Sequence, residues 1–407
     1  MRASNVLTAL LAVYSLSLAE ENTQKLDSYI SDIKKQEFAY DYQKVEADSS
    51  KLRDSWIQPL VISYAYSKSK PYDNEQESQK AAIVMDQPIF QSGGIYYGIK
   101  FAQASRKYSD YSLDVAKRKL IKDAIALLMQ IKQTELMKEK QKFQIKNSEI
   151  NLEQKKEEYL NGQLDSGFLD DAIIQANVAI QALYDIEANE QKLISQFKSI
   201  SDLDYESATI PHLKILSEDE FLKNNIILYQ AQSKQEQDRY NKNVTISKYL
   251  PKISITAGYN WDKSDNQRFG NTGSGFSGET NYYNYGITAS MPLDINSFRD
   301  VESAKLDYLK SQVVVIDQKK ELKALFEQVM QNIKNFDNKI ALSKRNRELY
   351  AKLLEDTNQL FDAGYKTEYD VNTMKNSVEI QKLDTKIYEI DKQLELLSLY
   401  EKFKDEI

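Results

Sequence analysis

Ile253-Ser254-Ile255-Thr256-Ala257-Gly258-Tyr259-Asn260-Trp261-Asp262 alternates without a break. The odd positions are apolar or aromatic and the even ones small or polar, apart from Ala257 on the odd side and Asp262 at the end. A period of two is the signature of a strand whose side chains point to opposite faces. Tyr283, Tyr285, Ile287, Ala289 and Met291 alternate in the same way with Asn284, Gly286, Thr288 and Ser290. Earlier in the chain Leu60, Ile62, Tyr64 and Tyr66 alternate with Val61, Ser63, Ala65 and Ser67. A weaker run from Ala81 to Pro88 would put Ala81, Ile83, Met85 and Gln87 on one face. Four strands in two hairpins are therefore predicted.

Runs of about 9–11 residues, apolar on one face and small polar on the other, suit strands that cross a bilayer around water. Tyrosines near the strand ends fit an interfacial girdle. On this reading Ser254, Thr256, Gly258, Asn284, Gly286, Thr288 and Ser290 face water, and Ile253, Ile255, Tyr259, Tyr283, Tyr285 and Ile287 face lipid. A pair of hairpins in a small soluble sheet has the same period. The connections Lys68 to Lys80 and Lys263 to Thr280 read as long polar loops. The second contains Gly270-Asn271-Thr272-Gly273-Ser274-Gly275, which lacks the Lys-Ser/Thr of a phosphate-binding loop and reads as flexible. Four strands cannot close a barrel alone, so their edges need other subunits.

Most of the remaining chain reads as long helices, over about 27–54, 94–160, 169–200, 217–248, 297–361 and 368–403. No proline interrupts any of them. A helix of about 65 residues is roughly 100 Å long at about 1.5 Å per residue. Ile380, Leu383, Ile387, Ile390, Leu394 and Leu397 alternate spacings of three and four, the coiled-coil repeat. Leu136, Phe143 and Ile150 form one seven-residue ladder, and Ile145, Leu152 and Tyr159 a second on another face. Two seams on one helix predict neighbours on both sides.

The chain reads as an internal duplication. Trp56-Ile57-Gln58-Pro59 parallels Lys248-Tyr249-Leu250-Pro251, and Asp86-Gln87-Pro88-Ile89 parallels Ser290-Met291-Pro292-Leu293. Tyr159-Leu160-Asn161-Gly162 parallels Phe361-Asp362-Ala363-Gly364. The predicted division is a signal segment over 1–19, a first repeat over 20–202 with its hairpin near 57–90, an equatorial connection over 203–219, and a second repeat over 220–407 with its hairpin near 252–293. The signal reading rests on Arg2, the apolar run Val6 to Leu18 and the small residues before Glu20.

Composition removes several function classes. The 407 residues include no cysteine and one histidine, His212, so thiol chemistry and histidine-rich metal sites are not expected. Acidic residues outnumber basic ones 61 to 54, for a formal charge of −7, which argues against a nucleic-acid partner. A Ser-His-Asp site would have to use His212 beside Pro211, and no segment resembles a nucleophile turn. No catalytic residue, metal or cofactor is expected. Outside the signal segment no apolar run is long enough for a spanning helix.

Taken together, Tyr249-Leu250-Pro251-Lys252-Ile253, Met291-Pro292-Leu293-Asp294, Gln87-Pro88-Ile89-Phe90-Gln91-Ser92-Gly93 and the two turns at Gly162 and Gly364 resemble the TolC-type outer-membrane efflux protein family, in order and over nearly the whole mature chain. The resemblance implies a mainly α fold with a β-barrel portion. Each subunit of a homotrimer would give four transmembrane strands to a twelve-stranded barrel in outer-membrane lipid and its helices to a coiled-coil tunnel in the periplasm. It implies a passive exit duct that meets a periplasmic adaptor (membrane fusion) protein and an inner-membrane transporter, for efflux or type I secretion. The absence of cysteine points to the non-lipidated members. The chain has no long C-terminal extension, so an equatorial belt is expected from about 201–219.

The same resemblance places a periplasmic gate at the helical tips. Gly364-Tyr365-Lys366-Thr367-Glu368-Tyr369-Asp370 is similar to the family's tip pattern, which makes Asp370 a candidate for a three-fold carboxylate ring, with Tyr369 and Thr373 beside it. Thr373 stands where many members have a second aspartate. Gly162, Gly364, Lys366 and Thr367 are candidate adaptor contacts. The competing reading is an exported soluble coiled-coil protein, structural or adaptor-like.

Overall fold

The computed structural model describes residues 26–70, 75–268 and 275–404. The predicted signal segment, and the glycine-rich loop apart from Gly275, lie outside the described residues. A short 3-10 turn, Leu26–Tyr29, precedes the helix α1, Asp32–Arg53. Strands β1, Val61–Ser69, and β2, Gln76–Phe90, follow, then α2, Gly94–Leu160, and α3, Ser166–Ile200. The second half runs α4, Glu218–Lys223, α5, Ile226–Lys248, β3, Lys252–Arg268, β4, Gly275–Ser290, α6, Ser297–Asp362, and α7, Glu368–Tyr400. The two very long helices have 67 and 66 residues, and their returning partners 35 and 33. Near-equal lengths in the same order reproduce the twofold pattern of motifs.

α2 packs on α1, α3, α5 and α7; of its two predicted seams, Leu136, Phe143, Ile150, Ile145 and Leu152 are half-buried and Tyr159 is exposed. α7 packs on both α6 and α2, and Leu383, Ile387 and Leu397 of the predicted heptad are buried. The largest apolar core lies where Ile125, Leu128, Met129 and Ile131 of α2 meet Phe197, Phe326, Val329 and Leu396. Phe221 of α4 is fully buried there and stacks on Phe326 with ring centroids 5.8 Å apart. Residues 201–217 cross this core as irregular chain, with Leu213 and Leu216 turned inward.

Four boundaries differ from the sequence expectation. The helix predicted over 27–54 is broken at Ser31, whose hydroxyl caps α1 while its backbone N–H donates to the Ile200 carbonyl at 2.8 Å. The helix predicted over 217–248 is two. Asn225, fully buried, caps α5 with its side-chain oxygen and forms an antiparallel bridge with Phe403. For that reason the last helix stops at Tyr400 rather than near 403. Residues 401–404 then turn into the break, and the Lys404 N–H donates to the Asn224 carbonyl at 2.6 Å. Finally, the hairpin loops are shorter than read, because the strands continue to 9, 15, 17 and 16 residues. Polar residues such as Lys68, Glu77 and Lys263 pair within the ladder rather than in loops.

The sheet is an antiparallel meander in the order β1-β2-β3-β4. Its register places the alternating patterns in phase: Ile62 faces Ile83, Ile83 faces Tyr259, and Tyr259 faces Tyr283. Residues directly opposite share a face. One face is therefore apolar and aromatic across all four strands, and the weak β2 pattern falls on the side predicted for it.

Candidate functional site

Both hairpin tips end their long helix with the same backbone motif. Gly162 and Gly364 sit at φ 72° and 79°, the left-handed region that a β-carbon resists. The Gln163 N–H donates to the Glu158 carbonyl at 2.9 Å and the Tyr365 N–H to the Leu360 carbonyl at 2.8 Å. These 6→1 bonds close Schellman caps. Asp165 then caps α3 through the Gly167 N–H at 2.8 Å.

At the second tip Thr367 and Asp370 form a reciprocal capping box. The Asp370 N–H donates to the Thr367 hydroxyl at 3.3 Å, and Asp370 Oδ2 accepts from the Thr367 N–H at 3.0 Å. Lys366 Nζ reaches Asp370 Oδ1 at 3.3 Å. Both carboxylate oxygens are thus engaged. The Thr367 backbone N–H, together with its hydroxyl and the Lys366 charge, holds the Asp370 carboxyl below its usual range against a smaller effect of burial. A ring of three like charges acts in the opposite direction.

Tyr369 points elsewhere: its hydroxyl donates to Glu157 Oε1 at 3.0 Å, tying the start of α7 to the end of α2. That bond raises the Tyr369 pKa. Thr373 is half-buried one turn beyond Asp370, and its carbonyl accepts from the Ser377 hydroxyl at 2.8 Å. Lys366, Thr367 and Asp370 are therefore one bonded group, whereas Tyr369 and Thr373 are outside it.

Sequence reading missed the partners that α7 finds on α2. Above Tyr369–Glu157 come Asn376–Asn147 at 2.8 Å, Asp384–Lys140 at 2.6 Å and Asp391–Gln133 at 2.6 Å. They recur at about one rung per heptad. Burial pushes the Asp391 carboxyl up, and the Gln133 bond only partly offsets it. The polar members were visible as residues, but one chain does not reveal which helix faces which.

At the other end of the molecule the sheet is bare. No helix packs broadly on it among the described residues, and Ile62, Tyr283, Tyr285 and Ile287 are 75%, 74%, 81% and 75% exposed. Its opposite face carries Ser254, Thr256, Gly258, Asn284, Gly286 and Thr288, as the alternation predicted. Asn260 Nδ2 donates to Asn284 Oδ1 across it at 3.0 Å. Trp261 and Tyr64 bound the apolar zone, and the charged Lys68, Glu77, Lys263 and Glu279 follow on the same face. From Ile253 to Trp261 the zone is nine residues tall, about 27 Å along a strand. Tilted by about 40°, it spans roughly 20 Å, near the apolar band of an outer-membrane barrel.

Residues 219–401 match the profile of the outer membrane efflux protein family. They form an outer membrane efflux protein domain. The TolC-type resemblance read from the motifs is borne out. Nearly the whole chain shares its fold with solved outer-membrane channels. The outer membrane protein VceC of Vibrio cholerae is 13% identical with a TM-score of 0.70, over 90% of this chain and 92% of that one. The CmeC outer membrane channel of Campylobacter jejuni is 14% identical with a TM-score of 0.70, over 94% and 86%. The open state of the MtrE outer membrane channel of Neisseria gonorrhoeae is 12% identical with a TM-score of 0.62, over 93% and 88%. No curated protein sequence matches the chain.

No described helix is long and apolar enough to cross a membrane. His212 is solvent-exposed in the 201–217 connection. No group of three or more histidine or carboxylate side chains among the described residues is arranged to hold a metal ion.

Proposed function

We propose that three copies of this chain join their sheets edge to edge into a twelve-stranded barrel in the outer membrane and extend their helices as a hollow tunnel into the periplasm. The duct is passive. It carries cargo outward from a periplasmic adaptor and an inner-membrane transporter, in an efflux pump or a type I secretion system. The observation that carries this reading is the four-stranded sheet with one bare apolar face, one polar face, and unpaired edges at β1 and β4 among the described residues. In water such a sheet would expose both hydrocarbon and strand edges. In a closed barrel both find partners, lipid for the face and neighbouring chains for the edges. The competing soluble coiled coil leaves that face unexplained.

The gate in this reading is the narrow end formed by the tips. Asp370, with Thr373 and Tyr369 nearby, would ring the entrance, and the Tyr369–Glu157 bond would hold α7 against α2 in the closed state. Gly162, Gly364, Lys366 and Thr367 would present the tips to the adaptor. The test is conductance of purified protein in a planar lipid bilayer, wild type beside Asp370→Ala and Tyr369→Phe. Discrete channels that open more readily in the variants are expected. Channels indifferent to both substitutions would move the gate elsewhere. A water-soluble protein that never inserts would overturn the duct.

A further inference from the structure

The polar face of the sheet is almost free of charge at membrane depth. Between Lys252 and Asp262, β3 presents Ser254, Thr256, Gly258 and Asn260 on that face. Every residue opposite them on β2, and those beyond on β4 and β1, is neutral except one. Asp86 of β2 lies directly opposite Thr256. Its side chain is exposed and has no hydrogen-bond or ion-pair partner among the described residues. The next residue fixes its direction. The Gln87 amide turns to the other side, accepting from the Gln58 N–H at 3.0 Å and donating to the Trp56 carbonyl at 3.1 Å.

We infer that Asp86 makes the barrel itself a second charge filter, favouring small cations over anions at its inner end, apart from any gate at the helical tips. This rests on the trimeric barrel proposed above. An unpaired ionisable side chain on a wall at membrane depth is costly unless it faces water, and in a pore it acts on what passes. A twelve-stranded barrel is about 24 Å across between backbones, so three inward carboxylates lie within about 10 Å of the axis. The screening length is about 10 Å at 0.1 M salt, so the whole cross-section feels them.

Other charges on this face are arranged so as not to cancel the effect locally. Lys252 is four residues away along the ladder, about 13 Å, and lines the cleft with Arg53 and Lys248 at the junction with the helices. Lys80 and Asp262 lie opposite each other above it and offset one another.

The test is the reversal potential of single channels in a salt gradient near 0.1 M. Asp86→Asn should lower the cation-to-anion permeability ratio by about twofold or more, and Asp86→Lys should lower it further. The cysteine-free chain permits a second approach that acts after assembly. Asp86→Cys should react with water-borne methanethiosulfonates, the anionic reagent restoring cation preference and the cationic one reversing it. Ile287→Cys, on the apolar face, should not react. An unchanged ratio in both substitutions, or a reactive Ile287→Cys beside an inert Asp86→Cys, would overturn the inference while leaving the duct intact. Absence of channels from the wild type would overturn the duct and this inference with it.

Discussion

Gly162 and Gly364 have open space where a β-carbon would stand, so any cost of substitution there comes from the backbone alone. Ala at either position should destabilise its tip by about 1–2 kcal/mol, and Asn by less, because Asn tolerates the left-handed region. Hydrogen exchange of the residues flanking each turn would measure the difference. Asp370 allows a test by pH. Its folded pKa is depressed, so its capping contribution is complete above the ordinary aspartate value of about 3.9 and is lost as pH falls through the lower folded value. Protection of the first turn of α7 should therefore be constant from pH 7 to about 4 and decline below that. Asp370→Asn should show the weaker protection at every pH. The turn glycines and the Thr367 cap were legible because both follow from local backbone chemistry. Lys366–Asp370 is an i,i+4 pair of the same kind. The Tyr369–Glu157 bond spans 212 positions and has no local signal.

Among the helices, α7 makes two unlike kinds of contact. It buries Leu383, Ile387 and Leu397, and it makes single hydrogen-bonded rungs to α2 through residues such as Asn376 and Asp384. Separating the first exposes hydrocarbon; separating the second lets water replace each bond. Leu397→Ala should cost about 2–5 kcal/mol, whereas Asn376→Ala should cost about 1 kcal/mol. Chemical denaturation of the two variants side by side would separate them. The heptad was readable from spacing alone. The break at Asn224–Asn225 was not, since the periodicity runs through it and the segment that fills it comes from residues 401–404. The strands were underestimated for a related reason. Beyond Trp261 the alternation of hydropathy fades into charge, but the ladder continues because the backbone bonds do not depend on it.

For the assembled molecule the decisive question is what pairs with the outer edges of β1 and β4. Single cysteines placed along these two strands, combined in one chain otherwise free of them, should give disulfide-linked species no larger than three chains on oxidation. Open-ended ladders of higher species would contradict closure at three. The strands of β3 and β4 exceed the roughly 9–11 residues a bilayer requires, so the barrel wall should also project beyond the membrane.

The fastening of the last helix has a mechanical consequence. Its upper end is held by the apolar core and by Lys404, whose ammonium lies 5.0 and 5.3 Å from the centres of the Tyr111 and Tyr229 rings. Its lower end, one helix of 33 residues away, joins α6 through the turn at Gly364 and would lean together with it where the rungs to α2 let go. A rod about 50 Å long, pivoted at one end, moves its far tip by roughly 4 Å for a tilt of only about 5°. The packing at the pivot would hardly register so small a turn. In the duct proposed above, the aperture would then be set by leverage, a slight turn at the pivot becoming a larger shift at the tip.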